Sequence, residues 1–189
     1  MEIQYFAGDQ VSILVSDYVA GGSLLDLANM YKLKSGKTMK QPLVVYFALQ
    51  MLEIVQAMHE CFFMPDNSVA LQLIDFGCSI DMTLFPPNTT FTRRVTTENF
   101  VCCEMLDERP WSYHTDLFCI AATVHVLLFD TYIKLRKQDG LWSITQRDLL
   151  NQQCGPANLA PIMSMLAESL KGGDLYTEIR YIMNLLKNR

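Results

Sequence analysis

Two short runs of apolar residues near the start of the chain predict a pair of β-strands. Residues 3–6 and 11–15 are rich in branched aliphatic and aromatic side chains, and the glycine-aspartate pair at 8–9 separates them. This spacing is typical of a β-hairpin. An isolated two-stranded hairpin is only marginally stable in water, so we expect it to be a remnant of a larger sheet or to pack elsewhere.

After the hairpin, the apolar pattern changes to the helical period. Gly21 and Gly22 end the extended run, and Ser23 is a suitable N-cap for a helix that carries Leu24, Leu25, Leu27 and Ala28. Residues 32–40 are basic, contain a glycine and predict a solvated loop. A second helix is predicted from Pro42 to Glu60, and its apolar positions are Leu43, Phe47, Met51, Ile54 and Met58, widened by Val44, Ala48 and Val55. A stripe of this width indicates a largely buried helix.

A short strand and a long loop are predicted next. The alternation from Leu71 to Ile74 is typical of a half-buried strand, which would carry Asp75 into a tight turn at Gly77. Residues 86–100 contain two prolines and five threonines, and they predict either an exposed segment that carries function or a plain surface loop.

A helix that is apolar on every face is predicted from Thr115, a possible N-cap, to Phe129. Only a central position in a domain suits such a helix. The remainder of the chain predicts amphipathic helices, including residues 159–170 and 175–186.

The composition is that of an ordinary globular domain. The chain has 189 residues, half of them hydrophobic, and its formal net charge is −5, which argues against a nucleic-acid partner. The most apolar run, residues 117–129, is shorter than the about 20 residues that span a bilayer, so no membrane association is expected. We see no signal peptide at the N-terminus.

Cysteine and histidine spacing indicates structural roles. The six cysteines show no CxxC spacing, which favours reduced thiols, mostly buried, over a metal site; they are Cys61, Cys78, Cys102, Cys103, Cys119 and Cys154. The three histidines make no HExxH or paired motif, which favours satisfied structural side chains; they are His59, His114 and His125. No serine or cysteine has a recognisable base at motif spacing, so hydrolase chemistry has no support.

Charged residues in the second half of the chain offer two further hypotheses. Arg93 and Arg94 are either a solvated pair or a phosphate-docking site, with Thr96 and Thr97 as candidate modification sites. Glu104 is expected to pair with a late arginine, either Arg147 or Arg180.

The order of these elements resembles the second half of a eukaryotic protein kinase. Asp75, Phe76 and Gly77 match the family's DFG motif. Glu104 lies where kinases keep the Glu of their Ala-Pro-Glu motif, here written Cys-Cys-Glu, and Asp116 lies where their central helix begins with an aspartate. The stretches LIDFGCSIDM and CCEMLDERPWSYHTDLF are more closely similar to mitotic checkpoint serine/threonine kinases of the budding-uninhibited-by-benzimidazoles family. The likeness is strongest between residues 15 and 135.

The resemblance implies a fold and a division of the chain. The fold class would be α+β, mainly α, as a kinase-like large lobe with remnant small-lobe strands. Residues 1–16 would be the remnant strands, 17–22 the hinge and 23–189 the large lobe of one partial domain.

The resemblance also implies cofactors, sites and partners. The family uses ATP and magnesium, so Asp17, Tyr18 and Val19 would bind adenine through the hinge backbone, and Asp75 would hold the metal. Residues 91–104 would face the substrate, and Asp116 would brace the catalytic loop. The chain would act in nucleus and cytoplasm, and at kinetochores in mitosis, with protein partners of the checkpoint.

Departures from the family pattern concern the phosphates and the catalytic base. The 16 residues before Asp17 contain no lysine and one glycine, Gly8, so the Gly-rich loop and the strand lysine are missing. Before the DFG motif, Asn67 is either a second metal ligand or a turn residue after Pro65. Laid on the catalytic-loop pattern, Phe62 stands in the place of the base and Met64 in that of the usual lysine.

Three functional hypotheses follow. The chain is a checkpoint kinase-like scaffold without phosphotransfer, or the large lobe of an active kinase whose missing segments lie in a longer parent, or an unrelated helical interaction domain in which residues 74–77 form only a turn. On the first hypothesis, these 189 residues neither transfer phosphate nor bind Mg-ATP tightly, because phosphoryl transfer depends on positioning and charge stabilisation.

Overall fold

The computed structural model describes residues 2–6, 11–15, 22–60, 71–94 and 98–144. The chain forms two compact units, residues 1–37 and residues 38–189, and each is described by itself.

The first unit contains the expected hairpin. Strands β1 (Glu2–Phe6) and β2 (Val11–Val15) pair antiparallel, with Glu2 opposite Val15 and Phe6 opposite Val11. This register confirms the hairpin expected from the two apolar runs.

Helix α1 (Leu24–Ser35) follows in the same unit and begins at the predicted cap. The Ser23 hydroxyl accepts a hydrogen bond from the Asp26 backbone N–H (3.1 Å), and the Asp26 carboxylate accepts one from the Ser23 N–H (2.8 Å). The prediction that a loop starts at Lys32 is wrong. The helix continues to Ser35, and the left-handed conformation of the following Gly36 (φ 66°) lets its N–H reach the Lys32 carbonyl.

The second unit begins with helix α2 (Gln41–His59), close to its predicted bounds. Its buried face is rotated from the predicted stripe. Val44, Ala48 and Leu52 are fully buried, whereas Met58 is exposed. Val44 and Ala48, which the prediction placed at the margin of the stripe, are therefore at the centre of the buried face, and α2 packs on the central helix.

That central helix, α4 (His114–Phe129), confirms the prediction of an all-round apolar element. Ile120, Val124 and Leu128 are 5%, 2% and 7% exposed. The predicted cap is wrong by two residues: Tyr113 occupies the N-cap position with no side-chain cap, and Thr115 lies within the first turn.

The predicted strand Leu71–Ile74 is wrong. These residues adopt no regular structure, and Leu73 and Ile74 are exposed. Short 3₁₀ turns follow at Phe76–Cys78, Met82–Leu84 and Glu98–Phe100, and the last of them packs on α4. A one-turn helix, α3 (Cys103–Leu106), closes this region, and three of its four residues are buried.

A second hairpin follows α4, where only helices were predicted. Strands β3 (Leu135–Gln138) and β4 (Leu141–Ile144) pair antiparallel around Asp139 and Gly140, which both have positive φ, 51° and 79°. This is the backbone of a two-residue hairpin loop. The predicted helices at 159–170 and 175–186 lie outside the described residues.

One helix in the described part of the chain, residues 42–59, is long and apolar enough to cross a membrane by length and composition. The same test is passed by a core helix, and the apolar face of this one packs on α4. It therefore gives no support for a membrane span.

Candidate functional site

Asp75 occupies a tight turn at the start of the DFG sequence. Its backbone is left-handed (φ 62°, ψ 72°), and its Oδ1 accepts a hydrogen bond from the Gly77 N–H at 3.3 Å. Aspartate tolerates this conformation better than most residues because its side chain bonds to the local backbone. A Cβ at Gly77 would lie 3.2 Å from the same oxygen, so the turn favours glycine there. The turn is as predicted, although no strand leads into it.

Asp75 is the described residue that the resemblance assigns to magnesium. Among them, Asp75 belongs to no group of three or more acidic, histidine or cysteine ligand atoms. Magnesium keeps several waters and relies on one or two carboxylates together with substrate phosphates. The other predicted ligand, Asn67, and the predicted hinge residues Asp17, Tyr18 and Val19 lie outside the described residues.

A backbone bridge between Phe91 and Trp111 closes the loop after the DFG turn. The Phe91 N–H donates to the Trp111 carbonyl (2.9 Å), and the Trp111 N–H donates to the Phe91 carbonyl (2.8 Å). The buried Trp111 indole also donates to the Arg93 carbonyl (3.1 Å). Phe85 packs edge-on against Phe91, with ring centroids 5.3 Å apart. These contacts fix the described start of the segment that the resemblance predicts to face the substrate, residues 91–94.

Arg93 and Arg94 are exposed on that segment. The candidate modification sites beside them, Thr96 and Thr97, lie outside the described residues. Phosphate docking by the arginine pair therefore stays a prediction.

Glu104 is buried on α3 between the Arg109 guanidinium and the His114 imidazole. Its Oε1 lies 3.6 Å from Arg109 Nη2, and its Oε2 lies 3.6 Å from His114 Nε2. Burial by itself would raise the pKa of Glu104, but the nearby His114 imidazole, the Glu104 backbone N–H and the Arg109 charge together hold the pKa below its ordinary value. The two arginines predicted as partners, Arg147 and Arg180, lie outside the described residues, so those pairings stay untested.

Asp116 joins the start of α4 to the end of α2. Its Oδ2 lies 2.7 Å from His59 Nε2, and the His59 ring packs on Tyr113 with centroids 4.5 Å apart. Residues 61–67, where the resemblance places the remains of the catalytic loop, begin two positions after His59 in the sequence and lie outside the described residues. The bracing role that the resemblance implies for Asp116 therefore stays a prediction.

His125, Cys103 and Cys119 fit structural roles. His125 is buried on α4, and its Nδ1 is 2.8 Å from the Thr131 carbonyl oxygen. All four described cysteines are free thiols: Cys102 and Cys103 are buried, Cys119 is partly buried and Cys78 is exposed. Burial raises the pKa of Cys103 and of Cys119 to about 12, so these thiols stay protonated and are poor nucleophiles.

One cluster was missed by sequence reasoning. Asp107, just after α3, accepts hydrogen bonds from Lys137 Nζ on β3 (2.7 Å) and from the Trp142 indole on β4 (2.9 Å). Arg109 Nε lies 3.4 Å from the same carboxylate. The pKa of Asp107 is lowered, first by Lys137 and then by Trp142. No local pattern signals contacts 30 and 35 residues apart, so only the fold shows that Asp107 anchors the second hairpin.

Comparisons with known proteins agree with the fold. No protein-family model matches the chain. The mitotic checkpoint serine/threonine-protein kinase BUB1 of Mus musculus is 40% identical over 151 residues, which cover 69% of this chain and 14% of the mouse protein. The Arabidopsis thaliana protein of the same name is 31% identical over 158 residues, or 69% of this chain and 30% of that protein. The chain thus spans a minor part of these relatives.

The crystal structure of the BubR1 kinase domain is also similar. It matches with a TM-score of 0.62 and 30% sequence identity, and the match covers 93% of this chain and 64% of that domain. This similarity confirms the expected fold class, a mainly helical, kinase-like large lobe with remnant strands. The chain belongs to the Bub family of mitotic checkpoint serine/threonine kinases, and its residues are part of the kinase domain.

Proposed function

We propose that this chain is a spindle-checkpoint kinase-like module that does not transfer phosphate in this form and acts as a scaffold or stabilising module. The relatives carry the names of mitotic and spindle assembly checkpoint serine/threonine kinases, which supports the checkpoint role. The observation that carries the loss of activity is the isolation of Asp75, which brings one carboxylate and no further ligand cluster in the described residues.

Kinases of this kind use ATP and magnesium. In this chain, Asp75 would contact magnesium with Asn67 as the second candidate ligand, Phe76 and Gly77 would form the turn beside the nucleotide, and Asp17, Tyr18 and Val19 would contact adenine. A single carboxylate holds magnesium weakly, because the ion otherwise depends on phosphates that are themselves positioned. With no Gly-rich loop or strand lysine before Asp17, nucleotide binding would be weak or absent.

The proposal includes a division of the chain into three parts. Residues 1–16 would be small-lobe remnants, 17–22 the hinge and 23–189 the large lobe. The protein would work in nucleus and cytoplasm and at kinetochores in mitosis, through protein partners of the checkpoint and without nucleic-acid or membrane partners.

A second candidate is that these residues are the large lobe of an active serine/threonine kinase. The 40% identity with mouse BUB1 and the 64% coverage of the BubR1 kinase domain favour it, because the regions outside the match can hold the missing motifs. The third hypothesis, an unrelated helical domain, is wrong because the chain belongs to the Bub family.

The test compares nucleotide binding and phosphate incorporation in the purified chain and two variants. Asp75→Ala removes the candidate metal ligand. Asp81→Ala is the matched control, since Asp81 is also exposed and caps a 3₁₀ turn through its side chain, which accepts from the Thr83 N–H at 3.0 Å.

We expect no radiolabelled phosphate incorporation and no thermal shift with micromolar Mg-ATP in any of the three proteins. Incorporation that Asp75→Ala abolishes and Asp81→Ala preserves would overturn the proposal and favour the active-kinase candidate.

A further inference from the structure

Three potential metal ligands converge where α3 meets the start of α4. Cys102 stands at the N-cap position of α3, Glu104 lies in its only turn, and His114 is the first residue of α4. One ligand atom from each side chain lies within 4.8 Å of the other two. Cys102 and Glu104 are buried, and His114 is partly buried.

The distances are close to those of a metal centre. Four-coordinate zinc with bonds of about 2.0–2.3 Å places its ligand atoms roughly 3.4–3.7 Å apart. His114 Nε2 and Glu104 Oε2 already stand 3.6 Å apart. The other separations stay within 4.8 Å, so closure needs side-chain movements of about 1 Å.

The hydrogen bonding of the cluster leaves room for an ion. Within the described residues, His114 Nε2 is buried and has no hydrogen-bond partner. Arg109 approaches Glu104 through Oε1, which is the other oxygen of that carboxylate. Oε2 can therefore turn to a cation beside His114 while Oε1 keeps the arginine.

We propose that Cys102, Glu104 and His114 bind a zinc ion that joins the end of the activation segment to the first turn of α4. Thiolate, imidazole and carboxylate are the side chains that zinc binds in proteins, and three of them leave the fourth position for water. The pattern C-x-E-x₉-H has no CxxC or HExxH spacing, which is why sequence reasoning set metal binding aside. Folding alone brings His114 to the other two residues.

The experiment titrates the purified 189-residue chain with Co²⁺, a spectroscopic substitute for zinc, under reducing conditions. We expect one Co²⁺ per chain, a sulfur-to-cobalt charge-transfer band, and displacement of the cobalt by Zn²⁺. All proteins carry Cys78→Ser, because Cys78 is exposed and offers a competing thiol.

Cys102→Ser and His114→Gln each remove one ligand, and Cys103→Ser is the matched control, a neighbouring buried cysteine outside the cluster. Loss of an outer-shell partner alone weakens metal binding by about 10–100-fold, so we expect each ligand variant to weaken cobalt binding at least about tenfold, while Cys103→Ser retains it. The charge-transfer band should vanish in Cys102→Ser.

A thermal melt without metal separates lost binding from lost folding. We expect Zn²⁺ to raise the melting temperature of the parent and of Cys103→Ser but not of Cys102→Ser or His114→Gln. A band that survives Cys102→Ser, an equal loss in Cys103→Ser, or no band in the parent chain would overturn the proposal.

Discussion

At the scale of single residues, Glu104 shows how one buried carboxylate is kept ionised. Its side chain is 9% exposed, and burial opposes its charge. Arg109 and His114 approach its two oxygens from separate sides, and the Arg109 N–H also donates to the Glu104 carbonyl at 2.8 Å. Removing the charge would leave the Arg109 guanidinium beside a buried neutral side chain.

Replacing Glu104 with Gln should therefore destabilise the chain at neutral pH by about 1–3 kcal/mol, because glutamine keeps the shape and loses the charge. The folded-state pKa is lowered from 4.5, so this stabilisation is complete above about pH 4.5 and is lost as the pH falls through the folded pKa. Urea unfolding of both proteins at pH 7 and near pH 4, with EDTA present, would measure the difference.

We expect the two unfolding free energies to converge at the lower pH. Glu108→Gln is the control, since Glu108 is exposed, and it should change little at either pH. An equal difference between the Glu104→Gln variant and the parent at both pH values would contradict the role assigned to the Glu104 charge.

At the scale of secondary structure elements, the anchoring of the second hairpin can be tested. Asp107→Asn should weaken the attachment of β3 and β4, because asparagine lacks the charge that binds Lys137 and offers one acceptor oxygen where Lys137 and Trp142 now use two. We expect faster amide hydrogen exchange across residues 135–144 with little change in α4. Native-state exchange read by mass spectrometry measures both regions at once.

Asp139→Asn is the matched control on the same hairpin. Asp139 is exposed, and asparagine also tolerates its positive φ, so the turn should survive. Similar exchange changes in the two variants would show that Asp107 does not anchor the hairpin.

Elements with a strong internal period were predictable, and those that depend on a partner were not. The bounds of α2 and α4 follow from apolar periodicity, yet the face that α2 buries depends on where α4 lies, and the predicted stripe was rotated. Leu71–Ile74 has the apolar alternation of a strand, but a strand also needs a neighbouring strand for its backbone hydrogen bonds. These residues form no strand, and Ile74 is 65% exposed.

The second hairpin, β3 and β4, was not predicted, although its turn has a clear local sequence pattern. Its Asp139–Gly140 turn is a strong hairpin signal. The flanking residues of β3 are mostly exposed, with no apolar alternation to mark a strand. The same distinction holds in the candidate site. The Asp75 turn could be predicted from local sequence, whereas the partners of Glu104 and Asp107 depend on tertiary contacts.

At the scale of the whole molecule, most of the buried apolar side chains in the described second unit lie on α2 and α4, which pack on each other. Leu52, on the packed face of α2, is fully buried. Leu52→Ala should lower the free energy of unfolding by about 2–5 kcal/mol, since the removed methyl groups leave a cavity. Urea denaturation followed by circular dichroism would report it.

Leu33→Ala is the control, because Leu33 on α1 is 90% exposed and alanine favours helix. Its unfolding free energy should stay within about 0.5 kcal/mol of the parent value. Comparable losses in the two variants would mean that the α2–α4 interface is not the stabilising core.

Exposed apolar side chains should make the isolated chain prone to associate. Five of them fall within residues 73–85, and they are Leu73, Ile74, Ile80, Leu84 and Phe85. We expect concentration-dependent self-association in sedimentation velocity, reduced by the double change Ile74→Ser and Leu84→Ser, which alters the two most exposed members, 65% and 77%.

The matched control, Ile74→Val with Leu84→Ile, keeps nearly all of the apolar area and should associate like the parent. A sharp monomeric boundary for the parent at all concentrations would contradict this expectation.

The bridge between Phe91 and Trp111 also bears on proteolysis. Arg93 and Arg94 form an exposed dibasic sequence of the kind that trypsin-like proteases cut, and such enzymes bind their substrates in extended form. Because Phe91 is paired through both backbone groups and the Arg93 carbonyl is held by the Trp111 indole, the segment must first detach from Trp111. Nicking at this dibasic sequence would thus follow the rate or population of local opening rather than surface exposure.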